Sequence, residues 1–127
     1  MNFRVGRIVE YRLGRMPGIV LTATSLGNDF PGGVLIDHSD NLILVDQTHP
    51  AVNVYAPPYK DPPFESFPLK GTTVYCALGG TQARLYCLDY EYGSVDAYTY
   101  PKGTYLFSYT NGIESLDEPI GIAIETI

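Results

Sequence analysis

Proline and glycine recur too often along this chain for long helices. Ten prolines and thirteen glycines are spread through 127 residues, and no stretch between them carries a 3.6-residue apolar stripe of useful length. What lies between the breaks alternates instead, with apolar and polar residues exchanging places at a period of two. The chain is therefore expected to be all-β: a compact β-barrel or β-sandwich of short, mainly antiparallel strands. No helix longer than two turns is expected, and one turn fits around "IESLDE".

The strands can be placed in order. "NFRVGRIVEY" (2–11) shifts phase at Ile8 and Val9, the mark of a bulge or bend, and "GIVLTAT" (18–24) follows the Pro17-Gly18 break. "GVLIDHSDNLILVD" (33–46) is the clearest hairpin, because the Asp and Asn side chains of "DHSDN" can fold back onto turn amides. "AVNVYA" (51–56) is a further short strand; "TTVYCAL" (72–78) and "ARLYCLDY" (83–90) then flank "GGTQ". "SVDAYTY" (94–100), a "PKG" turn, "TYLFSYT" (104–110) and an Asn-Gly turn at 111–112 lead to the end of the chain.

That end is "EPIGIAIETI" (118–127). Read as a strand, Ile120, Ile122, Ile124 and Thr126 share one face, and Gly121, Ala123, Glu125 and Ile127 the other. Such a strand is expected to close the fold or to sit at a subunit contact, and a large residue at Gly121 is expected to break the packing of its small-residue face. Between 57 and 68, "PPYKDPPFESFP" holds five prolines, which rule out a central strand. This segment reads as a loop or arm, pinned by Phe64 and Phe67 and laid on a neighbouring molecule.

The length is that of one domain, 1–127, large enough to bury a genuine core. Charged residues make up only 17% and the net charge is −6, which argues against a nucleic-acid partner because phosphate contacts need a basic footprint. Half of the eight basic residues, Arg4, Arg7, Arg12 and Arg15, lie in the first fifteen positions. From residue 86 onward the carboxylates dominate, an asymmetry that suits attraction between subunits or between neighbouring parts of one chain. The start lacks the apolar core of a secretion signal, and no apolar run approaches the length of a membrane span. No membrane partner is expected, and the location expected is the cytoplasm, or a virion released by lysis.

Familiar chemistry is missing. No nucleophile elbow, phosphate loop or dinucleotide fingerprint is present, so an enzyme is not expected. His38 and His49 read as turn and loop residues, with Asp46 in reach of His49. Asp37 and Asp40 read as turn caps, short of the ordered ligands of a calcium loop. Cys76 and Cys87 lack the C-x-x-C spacing of a zinc site and, in a protein without an export signal, are expected to be reduced and buried. No metal and no cofactor are expected.

The tyrosines carry the strongest functional signal. Seven of the eleven, Tyr86, Tyr90, Tyr92, Tyr98, Tyr100, Tyr105 and Tyr109, fall between 86 and 109. Tyrosine joins apolar area to a polar tip with few rotatable bonds, which favours interfaces, and a small core cannot hold all seven. With Tyr59, Phe64 and Phe67 of the proline segment they form the expected contact set. A protein partner is therefore expected, including a second copy of the chain as a homo-oligomer. The alternative is a β-barrel binding module for a sugar or another small ligand.

The closing part, "YPKGTYLFSYTNG" followed by "EPIGIAIET", resembles the small head-decoration, or cement, proteins of tailed bacteriophages. The likeness covers about the last quarter of the chain and rests on the Pro119-Ile120-Gly121-Ile122-Ala123 run. It implies a compact β-fold that binds the outside of an assembled capsid, frequently as a trimer, and strengthens the shell without catalytic residues.

Overall fold

The computed structural model describes residues 8–11, 14–21, 31–110, 112 and 121–125. Ten strands run through them: β1 (Ile8–Glu10), β2 (Ile19–Leu21), β3 (Pro31–Ile36), β4 (Leu42–Asp46), β5 (Ala51–Tyr55), β6 (Glu65–Pro68), β7 (Thr73–Leu78), β8 (Arg84–Asp89), β9 (Ser94–Thr99) and β10 (Tyr105–Tyr109). No described residue is α-helical. Residues 2–7 of the strand expected over 2–11, residues 22–24 of the one expected over 18–24, the "IESLDE" turn and the ends of the closing segment lie outside the described residues.

The strands form two four-stranded antiparallel sheets, β3-β4-β5-β6 and β10-β9-β8-β7, with β1 and β2 as a separate pair. The two large sheets pack face to face as a sandwich, and neither closes on itself, so the barrel alternative falls. Short loops joining consecutive neighbours leave each sheet with two edges.

Between the sheets lie Ile43, Val45, Val52, Val54, Phe67, Leu69, Leu85, Tyr98 and the two cysteines. Leu42, Leu44 and Tyr55 form a second cluster on the opposite face of the first sheet, covered by Ile8 and Tyr59. With both faces covered, β4 is buried at all five positions, which explains its unbroken apolar run in place of alternation. Glycine lets the sheets meet at their edges. A Cβ on Gly32 would stand 2.4 Å from the Val74 carbonyl oxygen, and one on Gly33 would stand 2.6 Å from the Tyr75 ring.

The β3–β4 turn forms as its residues predict. One Asp37 oxygen accepts the Ser39 and Asn41 amides at 2.8 and 2.9 Å, and the other accepts the Asn41 side chain at 2.9 Å. Asp40 takes the left-handed conformation at φ 62°, which Asp tolerates better than most residues.

The cysteine expectation is overturned. Cys76 and Cys87 are buried but joined in a disulfide, with Cα atoms 4.1 Å apart. A five-residue loop (79–83) separates β7 from β8, closed by the Gly79 amide on the Arg84 carbonyl at 3.0 Å. Counting back from that bonded pair, Cys76 and Cys87 oppose each other at a non-hydrogen-bonded position, where side chains approach most closely. The expected redox compartment had argued for free thiols, while the register was not readable from spacing.

The proline segment also departs from expectation. Its last four residues are β6, paired with β5 at the sheet edge, where Pro68 costs least. Phe67 enters the core opposite Val52, and the Phe64 amide donates to the Val54 carbonyl at 2.9 Å. Residues 64–68 therefore lie along their own sheet and are not a free loop or arm. The closing run differs too: residues 121–125 belong to no strand. Their alternation survives, since Ile122 and Ile124 are half-buried while Gly121, Ala123 and Glu125 are exposed. A Cβ on Gly121 would meet nothing within 4 Å, so the expected small-residue packing is absent.

Candidate functional site

The second sheet sorts the tyrosines by face. Tyr98 lies on the inner face, 2% exposed, with its ring 5.8 Å from Phe67 and its hydroxyl accepting the Lys70 amide at 2.8 Å. Burial first, against that hydrogen bond, pushes its pKa up to about 12. Tyr98 and Phe67 are thus core residues, although both were expected at a contact surface. Tyr100 is half-buried and donates to Asp37 at 2.6 Å; burial, then that carboxylate, raises its pKa. Tyr59 is also half-buried, and its hydroxyl donates to the Asp40 carbonyl at 2.8 Å.

Tyr92, Tyr105, Tyr109 and Phe64 are exposed, and Tyr86 and Tyr90 are half-buried. Tyr86 and Tyr109 share the outer face of the second sheet with Val95, where Ile122, Ala123 and Ile124 stand across a cavity of about 320 Å³. The expected set is therefore divided among the core, the outer face and an edge. Sequence reasoning missed Val34, Ile36, Tyr75 and Leu106, all exposed. Their signal was an apolar residue at an outward position of a strand that turned out to be an edge.

The strand β10 is an edge. Among the described residues it pairs only with β9, and its sequence "YLFSY" carries no charge. Tyr105, Leu106 and Tyr109 on it are exposed. A bulge between Tyr105 and Phe107 shifts its register, and Phe107 lies beneath the Arg84 guanidinium at 5.6 Å.

Behind this edge runs a buried polar chain. The Ser108 hydroxyl donates to Asp96 at 2.6 Å, as does that of Ser94 at 2.8 Å. Ser108 has one hydrogen and has committed it, so its 2.7 Å contact with Tyr105 takes its hydrogen from Tyr105. Asp89, also buried, accepts the Glu91 and Tyr92 amides at 3.0 and 3.1 Å. One oxygen of Asp89 and one of Asp96 have no hydrogen-bond donor. Burial foremost, with the neighbouring Asp96, pushes the Asp89 pKa up to about 6 against its two amide donors.

At the other end of β10 a cleft of about 420 Å³ opens between Pro68, Leu69, Lys70, Tyr98, Gly103 and Tyr105. The Lys70 ammonium stands 5.3 Å from the centre of the Tyr105 ring.

The histidines take no part in these arrangements. The His38 amide donates to the Gln82 side chain at 2.8 Å. The exposed His49 imidazole stands 3.9 Å from Asp46, which instead accepts the Thr48 amide at 2.9 Å. Among the described residues no group of three or more His, Cys, Asp or Glu could hold a metal ion, and no helix is long and apolar enough to cross a membrane. No protein-family model matches the chain, and no curated protein matches it in sequence.

Proposed function

We propose that the protein is a non-enzymatic assembly component that docks on a protein surface, and that this surface is the outer face of a tailed-phage head. The observation that carries the reading is β10. Exposed edge strands are ordinarily blunted by lysine, proline, inward-pointing charge or a bulge; β10 has the bulge but presents Tyr105, Leu106 and Tyr109 with no charge at all. An edge of this kind suits pairing with a second chain, where aromatic side chains supply contact area at small entropic cost. The thin overall charge, 17% of residues, is in keeping with a surface that is covered in use. The Cys76–Cys87 bond suits a particle that persists in an oxidising medium. Self-association through the same edge supplies the homo-oligomer.

Mixing purified protein with undecorated mature capsids tests the proposal. Saturable, stoichiometric uptake and greater resistance of the shell to heat are expected, with Leu106→Lys abolishing both while the protein stays folded. Absence of uptake by capsids of any tailed phage tried, with a monomer at all concentrations, would overturn it.

A further inference from the structure

We propose that the cleft between β6, β10 and the 100–103 turn is a ligand site for a small organic anion with a flat apolar body, an aryl carboxylate by chemical class. The inference stands apart from the assembly reading and rests on the cleft alone. Its volume of about 420 Å³ lies in the range of roughly 300–1,000 Å³ usual for small-molecule sites. Pro68, Leu69 and the rings of Tyr98 and Tyr105 give it apolar walls, and none of its lining residues is acidic.

The walls are fixed before any ligand arrives. Tyr98 is clamped by its hydroxyl on the Lys70 amide and by the Phe67 ring. Tyr105 is held by its bond to Ser108, which the buried Asp96 anchors in turn, and by edge contact with Tyr98 at 5.9 Å. Gly103, at φ +77°, lets the Phe67 ring pack directly on its backbone, where a Cβ would collide with it. A preformed cleft loses little side-chain entropy on filling.

Its polar groups select the ligand's charge. Among the described residues the Lys70 ammonium makes no ion pair, and it stands over the Tyr105 ring. The Tyr98 hydroxyl accepts from Lys70, and its own hydrogen has no acceptor among the described residues. The Lys70 ammonium is a cationic donor, and no lining residue is acidic to compete for it. A carboxylate needs donors only, and a cationic donor strengthens its hydrogen bond. The ring of the ligand covers the apolar walls while the carboxylate meets Lys70. On a chain of net charge −6, an ammonium beside an aromatic wall, with no carboxylate partner among the described residues, is a local reversal of sign.

Titration of the full chain with benzoate, followed by amide NMR, tests the site. Saturable shifts are expected at Leu69, Lys70, Gly103 and Thr104, with affinity in the region of 1 mM or tighter. Benzyl alcohol, with the ring but not the charge, and acetate, with the charge but not the ring, should each bind at least tenfold more weakly. Lys70→Met, which keeps most of the apolar stem, should lose the preference for benzoate over benzyl alcohol, and Lys70→Arg should keep it. No saturable shift at these amides, equal binding of benzyl alcohol, or an undiminished preference in a folded Lys70→Met protein would each overturn the proposal. None of these results depends on capsid binding.

Discussion

Asp89 and Asp96 are diagonal neighbours on the inner face of the second sheet, both buried, and each leaves one carboxylate oxygen without a donor. A proton shared between the two carboxyl groups satisfies both oxygens; two charges at that site repel in a medium of low dielectric constant.

Stability should therefore fall as pH rises toward neutrality. The Asp89 pKa is raised from 3.8 to about 6 in the folded protein, so the unfolded chain releases this proton first. The advantage is complete below pH 3.8 and is lost as pH rises through about 6. Asp37 opposes this at the acid end. Burial raises its pKa, but the hydrogen bonds from Tyr100, Asn41 and Ser39 prevail and leave it lowered, so its contribution disappears as pH falls below the ordinary carboxylate range. Urea midpoints should be higher at pH 5 than at pH 7.5. Asp89→Asn should flatten that difference and stabilise the protein at pH 7.5 by up to about 3 kcal/mol. An unchanged or steeper pH dependence in the variant would remove the pair from this role.

Alkylation of unreduced, denatured protein should label no cysteine, since both lie in the disulfide. The bond closes a short loop, with a sequence separation of 11. Cys76→Ala together with Cys87→Ala should cost about 2–4 kcal/mol by denaturant melting.

Two glycines should respond in opposite ways. Gly121→Leu should change stability by less than about 0.5 kcal/mol, because a side chain there enters open space. Gly103→Ala should cost about 2 kcal/mol or more, because φ is +77° and the Phe67 ring occupies the Cβ position. Thermal melts of both variants decide this.

Lysine on the exposed edge should act on association more than on folding. Leu106→Lys replaces an exposed side chain, so its melt should stay within about 0.5 kcal/mol of the parent, while Tyr109→Lys also loses the edge contact with Phe107 and should cost about 0.5–1.5 kcal/mol. Sedimentation should show weaker self-association for both.

The strand content was legible in the sequence because period-two alternation and turn residues are local signals. Asp37 and Asn41 announced their hairpin correctly, and the runs later found as β4, β5, β8, β9 and β10 were placed to within a residue or two. What failed was non-local. The meeting of Cys76 with Cys87 depended on the length of one loop, and the burial of Tyr98 and Phe67 depended on which sheet faced which. Asp89 and Asp96 carry no local sign of burial, since neither residue's own neighbourhood in sequence reveals that both point inward. Lys70 and Tyr105 lie thirty-five positions apart, and only the folding of β6 and β10 to one end of the sandwich brings them together.

The disulfide also sets how the chain yields to force. The residues between Cys76 and Cys87 cannot extend when the two ends are pulled, so the fully stretched molecule is shorter by roughly 35 Å than one with free thiols. Because β7 is also the strand against which Gly32 and Gly33 of β3 are pressed, the locked hairpin acts as a rivet at the seam of the two sheets. Tension entering from either end reaches a covalent stop there.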